Sequence, residues 1–236
     1  MSTIWTNPEI KKAIFRRYAE LPANTYKATS ISLFNGDTHV MTRSIDTYTA
    51  GLTACNGTPA TIYSEEWIQG SSQTITYNKV VLRGIDQNNN TVDLMSITYD
   101  TSKSVQLLKD HGYWIKLDIN IANLPAYSDH CIRYPEVWIH KMLKGETIPD
   151  LKITICRAVL DNSQIVNLDI VSIEWSDPKL YVTVSWENNT GSDKNVYNVM
   201  LYNSAENPLY SLTKTNAQPI ITVPNGKKAI FILVMY

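Results

Sequence analysis

The stretch IVNLDIVSIEWSDPKLYVTVSWEN at residues 165–188 decides the fold class of this chain. In its second half Val182, Val184 and Trp186 alternate with polar side chains, which is the pattern of a strand with one buried face. An Asp-Pro pair separates the two halves and is a typical turn sequence. The stretch therefore predicts two consecutive β-strands, and we expect Trp186 to face the core together with the two valines.

Further segments of the same kind surround this stretch and predict a β-sandwich. Turn residues such as Asn, Asp, Gly and Pro stand between them at regular intervals. Short strands at such spacing are typical of an immunoglobulin-like β-sandwich. No cysteine pair flanks Trp186, which excludes the disulfide-linked antibody form. The predicted strands cover residues 152–160, 165–175, 179–188, 195–203, 208–212, 219–223 and 228–236.

The residues before this region predict one well-marked helix and several strands. Asn7 is the expected N-cap, Pro8 suits the first helical position, and apolar residues then recur at helical spacing as far as Leu21. A second short helix is predicted at residues 135–144, with Gly145 as its C-terminal cap. The predicted strands here cover residues 29–34, 74–82, 92–99 and 113–121.

The fold class predicted from these patterns is mainly β. An N-terminal helix and a β-rich domain at residues 1–150 precede a C-terminal immunoglobulin-like β-sandwich at residues 151–236. The boundary is placed near residues 145–151, where the strand periodicity resumes after a region interrupted by prolines. In the strand at residues 113–121, Tyr113, Ile115 and Leu117 are expected to share the buried face, whereas Trp114, Lys116 and Asp118 point the other way.

Composition excludes several classes of function. The chain has 236 residues with 21 Lys and Arg against 22 Asp and Glu, a formal net charge of −1. A nucleic-acid-binding domain normally carries a basic excess, so no nucleic-acid partner is expected. The longest apolar run, at residues 229–236, is far shorter than the ~20 residues of a transmembrane helix, so no membrane span is expected. Without an apolar signal sequence, the chain is expected to be synthesised in a cytoplasm.

Catalytic and metal-binding signals are weak. Cys55, Cys131 and Cys156 have no disulfide spacing, and neither a phosphate-binding glycine loop nor a nucleophile elbow occurs. The densest cluster, at residues 128–131, combines Ser, Asp, His and Cys, with His140 nine residues beyond Cys131. Its spacing does not suit a zinc site, so it is interpreted as an ordinary loop. We expect no catalytic residue, no cofactor and no metal.

Aromatic and apolar residues supply the candidate contact sites. Five aromatics on expected exposed faces could line a protein interface, pack in the core or stack on sugars, in that order of preference: Tyr63, Trp67, Tyr127, Tyr134 and Trp138. The helix at residues 8–21 and the strand at residues 228–236 are the candidate contact elements, because an apolar strand must be covered. The predicted interface residues are Ile10, Ile14, Arg17, Tyr18, Trp67, Trp138, Phe231 and Tyr236.

The basic residues of the first helix leave two interpretations open. Lys11, Lys12, Arg16 and Arg17 lie mostly off the apolar stripe of that helix. The first interpretation is a solvated face, and the second is a face that docks on an acidic partner.

Two runs of sequence resemble virion structural proteins of bacteriophages and archaeal viruses. The run KKAIFRRYAELPANTYKATSISLFNGD at residues 11–37 is similar to the helix, strand and Gly-Asp turn of tail, fibre and decoration proteins. The run SKSVQLLKDHGYWIKLDINI at residues 102–121 is similar to alternating strands in the same families, which often carry an immunoglobulin-like module. The resemblance implies a virion protein, and it assigns no catalytic residue to this chain. The sequence departs from these families in one respect, because no coiled coil, collagen-like shaft or receptor-binding tip is identified in it.

The sequence therefore predicts a non-enzymatic virion structural protein, a capsid, neck or tail subunit of decoration or adaptor type. Its expected partners are copies of itself and other virion proteins, and its expected location is the virion after synthesis in the host cytoplasm. The alternative is a carbohydrate-binding module or adhesin with a glycan as its partner. A glycoside hydrolase, using carboxylates such as Glu65 and Asp118, is the third interpretation.

Overall fold

The computed structural model describes residues 2–51, 60–67, 71–119, 134–213 and 218–235. Within these ranges the chain is mainly β, which confirms the predicted fold class, and its two helices are α1 (Pro8–Tyr18) and α2 (Tyr134–Lys144). The strands are, in chain order, β1 (Ser2–Thr6), β2 (Tyr26–Asn35), β3 (Thr38–Ser44), β4 (Thr47–Ala50), β5 (Ala60–Trp67), β6 (Gln73–Asp86), β7 (Thr91–Leu107), β8 (Gly112–Ile119), β9 (Ile155–Leu160), β10 (Ile165–Ser176), β11 (Lys179–Asn188), β12 (Lys194–Tyr202), β13 (Pro208–Thr213), β14 (Ile221–Val223) and β15 (Lys227–Met235).

The strands form three antiparallel sheets. A five-stranded sheet has the order β1-β7-β6-β2-β3, and a three-stranded sheet has the order β4-β5-β8. The third sheet has the order β13-β12-β9-β10-β11-β15, and β14 pairs with β12 beside β13. The first two sheets lie in the predicted N-terminal part, and the third contains all the strands after residue 151.

Helix α1 begins as the sequence predicts. The Asn7 side chain accepts a hydrogen bond from the Glu9 amide at 3.0 Å, and Pro8 occupies the first turn. The helix ends at Tyr18, three residues before the predicted Leu21, because Glu20 adopts a left-handed backbone with φ of 58°. This left-handed residue turns the chain away from the helix axis.

The strands after residue 151 follow the predicted bounds closely, and β11 matches them fully. Val182 and Val184 are fully buried and Trp186 is nearly so, as the alternation predicts. The strand order differs from that of an immunoglobulin domain, in which the second strand lies between the first and the fifth. Here the second strand, β10, lies between the first and the third, β9 and β11.

Strand β10 takes part in two halves of the third sheet. Its first four residues pair with β9, and the part from Asp169 onward pairs with β11. The register shifts between Ile170 and Ser172, which is the position of a β-bulge. A bulge bends its strand and increases the local twist, which allows one strand to pair with β9 over its first part and with β11 over the rest.

The two predicted parts share contacts through the helices. Helices α1 and α2 contact each other, and α2 also contacts β2 and β13. The Tyr18 hydroxyl donates a hydrogen bond of 2.7 Å to the Leu209 carbonyl, and the Tyr18 carbonyl accepts one from the Ile153 amide. The predicted boundary at residues 145–151 lies between α2 and β9. The buried apolar residues form a cluster that extends across this boundary.

Candidate functional site

The apolar face of α1 lies in the core. Ile10, Ile14 and Tyr18, predicted as interface residues, are fully buried within the chain. An apolar stripe at helical spacing normally covers the core of its own domain, and here it packs against α2 and the third sheet. The prediction that these side chains face a partner is corrected accordingly. Arg17, also predicted at the interface, is half-buried beside this stripe.

The basic residues of α1 contact other parts of the chain. The Lys12 ammonium lies 2.9 Å from Glu9 and 3.0 Å from Asp177, and Arg16 Nε donates to the Pro22 carbonyl at 2.6 Å. Hydrogen bonds to Glu9 and Asp177 raise the pKa of Lys12, whereas desolvation lowers the pKa of the half-buried Lys11. A groove of about 540 Å³ beside α1 is lined by the same Glu9, Lys12 and Arg16. Its charged side chains have partners within the chain, so the groove offers little unpaired charge to a ligand.

The predicted aromatic contacts have different outcomes. Trp138 is only 6% exposed and packs in the core from α2, with the Lys141 ammonium 5.3 Å from its ring centre. Its predicted place at an interface is therefore corrected to core packing, because α2 turns this face inward. Trp67 ends β5, but its side chain lies outside the described residues, as do Tyr127 and Tyr236. Tyr63 and Tyr134 are half-buried.

The third sheet ends in an exposed apolar strand. Ile230, Ile232 and Val234 of β15 are 63%, 56% and 36% exposed and share one face. On the opposite face Phe231, a predicted interface residue, is half-buried, and the next inward residues Leu233 and Met235 are buried. We call Ile230, Ile232 and Val234 the β15 ridge. It is the apolar part of the predicted contact strand that remains exposed among the described residues of the folded chain.

The β15 ridge lies at the edge of its sheet. All nine residues of β15 pair with β11, from Lys227 opposite Asn188 to Met235 opposite Leu180. Among the described residues no strand pairs with the other side of β15. That side therefore presents alternate backbone N–H and C=O groups to a further strand. Its charged residues, Lys227 and Lys228, stand at the beginning, and residues 229–235 carry no charge.

A second exposed surface lies on the three-stranded sheet. Strand β8 directs Tyr113, Ile115 and Leu117 inward and Trp114, Lys116 and Asp118 outward, which confirms the alternation predicted for this strand. Trp114 is 71% exposed, and its ring centre is 5.9 Å from that of Tyr63 on β5. The alternation in the sequence predicts the direction of Trp114, but Trp114 is not among the predicted sites. Alternation does not show whether another part of the chain covers the outward face of a strand.

Two carboxylates of this second surface, Glu65 and Asp118, lie far apart along the sheet. Glu65 is opposite Trp114, and Asp118 lies four residues farther along β8. At ~3.4 Å per residue this places their backbones ~14 Å apart. A glycosidase pair needs its carboxyl groups ~5–9.5 Å apart. The register therefore disfavours a hydrolase that uses these two groups.

A buried polar contact fixes α2 to β4. The Tyr48 hydroxyl and Nδ1 of His140 share a hydrogen bond of 2.6 Å, and the two rings meet edge to face. Glu136, one turn earlier on α2, is also fully buried. Burial raises the pKa of Tyr48, so the phenol stays protonated. These groups could perform acid–base chemistry if exposed, but Glu136 and His140 have almost no access to solvent, so the contact anchors the helix.

Cysteine and metal chemistry have little support in the described part of the chain. Cys156 is a buried free thiol, and burial raises its pKa to about 12. No three His, Cys, Asp or Glu side chains of the described residues lie together as a metal site. His130 and Cys131 of the densest sequence cluster, and Cys55, lie outside the described residues. Neither described helix is long and apolar enough to span a membrane.

Comparison with protein-family models, with curated proteins and with solved structures found no match to this chain.

Proposed function

We propose that this protein is a non-enzymatic structural subunit that assembles with copies of itself through the edge of β15. The observation that carries the proposal is the β15 ridge, three exposed branched side chains on a strand edge. Proteins normally protect such an edge with charges, proline or a covering segment. Residues 229–235 contain no charge and no proline, and no strand of the described residues covers their free edge, so a further strand would satisfy the backbone groups and place its own apolar side chains beside the ridge.

A second copy fits this edge because the ridge is self-complementary. Antiparallel pairing about a two-fold axis through Ile232 places each Ile230 opposite Val234 of the other copy. The six apolar side chains then form one continuous row. The same arrangement sends Lys227 and Lys228 of the two copies to opposite ends of the row. Parallel pairing would place these lysines side by side and would be opposed by their charges.

The expected strength of one such contact is modest. The exposed fractions of 63%, 56% and 36% correspond to about one and a half side chains per subunit, so lateral contact within the row contributes at most ~3 kcal/mol per subunit, at ~2 kcal/mol for each fully buried aliphatic side chain. Backbone hydrogen bonds across the edge add ~0.5–1.5 kcal/mol each. Association itself costs ~4–15 kcal/mol. A concentration-dependent pair is therefore expected, strengthened where many subunits are held together.

The test is the oligomeric state of the whole chain. Sedimentation of the wild type over a range of concentrations should show a dimer or larger symmetric species. Ile232→Lys places two ammonium groups together at the two-fold axis and should give a monomer. The matched control is Ile165→Lys, because Ile165 is 65% exposed but lies on β10, away from the edge. This control should associate like the wild type. A monomeric wild type, or an Ile232→Lys variant that associates normally, would contradict the proposal.

The proposed setting of this assembly is the virion, as the sequence resemblance implies. Support comes from the resemblance of residues 11–37 and 102–121 and from the low charge, which suits repeated packing of identical copies. Mass spectrometry of virus particles, purified from cells that carry the gene, should detect the chain at a fixed ratio to the major particle protein. Its absence from such particles would overturn the virion setting and leave the sedimentation test of the β15 edge unaffected.

A further inference from the structure

We propose that the outer face of the β4-β5-β8 sheet is a saccharide-binding site, where Trp114 and Tyr63 stack on sugar rings beside the polar pair Asp118 and Lys116. This face is separate from the β15 edge and does not depend on self-association. It is defined here as the β8 face, which contains Tyr63, Trp114, Lys116, Asp118 and Thr61.

The aromatic half of the β8 face is a shallow platform. Trp114 projects from β8 with 71% of its surface exposed, although a tryptophan of a folded protein normally buries most of its area. Tyr63 lies beside it on β5, with a ring separation of 5.9 Å and an angle of 36° between the rings. This small angle lets both rings contribute to one gently bent surface. Such a surface matches the apolar C–H faces of consecutive sugar rings.

The polar half is held in a fixed arrangement. Lys116 and Asp118 follow Trp114 at two-residue steps on the same face of β8, and Thr61 is opposite Asp118 on β5. The Thr61 hydroxyl donates to one Asp118 oxygen at 2.8 Å, and the Lys116 ammonium lies 2.9 Å from the other. Partial burial opposes ionisation of Asp118, but hydrogen bonds from Lys116 and Thr61 lower its pKa overall. Asp118 is thus an oriented acceptor, and Lys116 a donor, for sugar hydroxyls.

The composition of the face favours a saccharide over other ligands. The side chains next to the two aromatic rings are hydroxyl or charged groups, such as Thr47, Thr61 and Lys116. A protein partner would be expected to meet an apolar centre instead. A nucleic acid would meet the carboxylates of Glu65 and Asp118 with a single nearby ammonium, which is the wrong balance of charge. Sugar rings need both an aromatic platform and groups that bond hydroxyls, and the β8 face supplies both.

The length of the face sets the size of the ligand. From Trp114 to Asp118 the strand advances four residues, which is ~14 Å at ~3.4 Å per residue. One ring stacked on Trp114 therefore leaves Asp118 and Lys116 for the hydroxyls of a following ring. An oligosaccharide should bind more tightly than the corresponding monosaccharide.

The test uses the full chain and a defined panel of neutral oligosaccharides. Tetrasaccharides of glucose, mannose, galactose and N-acetylglucosamine are screened on an array, and the best is titrated by calorimetry. We expect Trp114→Ala to weaken binding about tenfold or more, since the stacking area is lost. Trp114→Phe keeps an aromatic face and should retain binding within a few-fold. Asp118→Asn should also weaken binding, because it removes the charged acceptor.

Trp5→Ala is the matched control. Trp5 is a 43% exposed tryptophan on β1 of another sheet, so its loss should leave the titration unchanged. The proposal is overturned if the wild type binds none of the panel, if Trp114→Ala binds like the wild type, or if Trp5→Ala loses as much affinity. Circular dichroism checks that each variant is folded. If Trp114→Ala does not fold, equal affinities of Asp118→Asn and the wild type overturn the proposal in its place.

Discussion

Replacing Tyr18 with phenylalanine should destabilise both parts of the chain together. The Tyr18 side chain is fully buried, and its hydroxyl donates to the Leu209 carbonyl at 2.7 Å across 191 residues of sequence. The register of β12 with β13 passes from Tyr210 to Pro208 and skips Leu209, where the strand bulges. The tyrosine therefore supplies a partner to a carbonyl at a point where the ladder is interrupted.

The expected magnitude follows from the buried carbonyl that the substitution leaves unpaired. Loss of one partner from a buried hydrogen bond costs ~1–3 kcal/mol, and phenylalanine preserves the packing of the ring. We expect the free energy of unfolding to fall by ~2 kcal/mol and Tm by roughly 4–8 °C for a chain of this size.

Urea unfolding followed by tryptophan fluorescence measures this loss, and hydrogen exchange locates it. Because the bond joins α1 to β13, amides of both elements should exchange faster in Tyr18→Phe. Tyr26→Phe is the matched control, since the Tyr26 hydroxyl accepts a hydrogen bond of 3.3 Å from Asn24, only two residues away, and this bond does not join the two parts of the chain. A change below ~0.5 kcal/mol, or faster exchange confined to α1, would refute the inference that this contact couples the two parts.

Two further predictions concern packing and pH. Gly84→Ala should cost ~3 kcal/mol in a thermal melt, because a Cβ there would lie 2.1 Å from the Lys27 carbonyl oxygen. Gly51→Ala should be nearly neutral, because no atom of the described residues lies within 4 Å of a Cβ at that position. Stability should fall as pH rises above ~9, because burial raises the pKa of Cys156 to about 12 and that of Tyr18 and Tyr48 above 10.0. The folded chain then holds protons that the unfolded chain releases, at ~1.4 kcal/mol per group and pH unit, so a Tm unchanged from pH 8 to 11 would contradict this.

The local elements of the third sheet could be predicted because their apolar patterns and turn residues are clear. In β11 every second residue from Leu180 to Trp186 is apolar and turn residues mark both ends, whereas β15 is apolar at every position from Ala229 to Met235 and follows the turn residues at 224–226. Strands β3 and the second half of β7 lack this signal. Residues 100–107 read DTSKSVQL, with mostly polar side chains on both faces, and they form a strand through pairing with β6. Such pairing involves distant residues, which a local pattern does not contain.

The candidate sites, like the strands, could be predicted from the sequence only in part. The stripe of Ile10, Ile14 and Tyr18 predicts an amphipathic helix correctly. The same spacing is expected whether the apolar face packs on a partner or in the chain's own core, so it does not distinguish the two. The direction of Trp114 follows from alternation in β8, whereas its exposure depends on whether another element covers that face. The strand order around β10 also depends on a bulge at Ile170–Ser172, and no residue type in that segment marks it.

The link between α1 and β13 has a consequence for biosynthesis. A ribosome releases α1 early, but Leu209, which accepts the bond from Tyr18, follows 191 residues later. At ~5–20 residues per second the helix waits on the order of ten seconds or more for this partner. The contacts of α1 with α2 can form earlier, so the bond between Tyr18 and Leu209 completes the docking of the helix late in the life of the nascent chain.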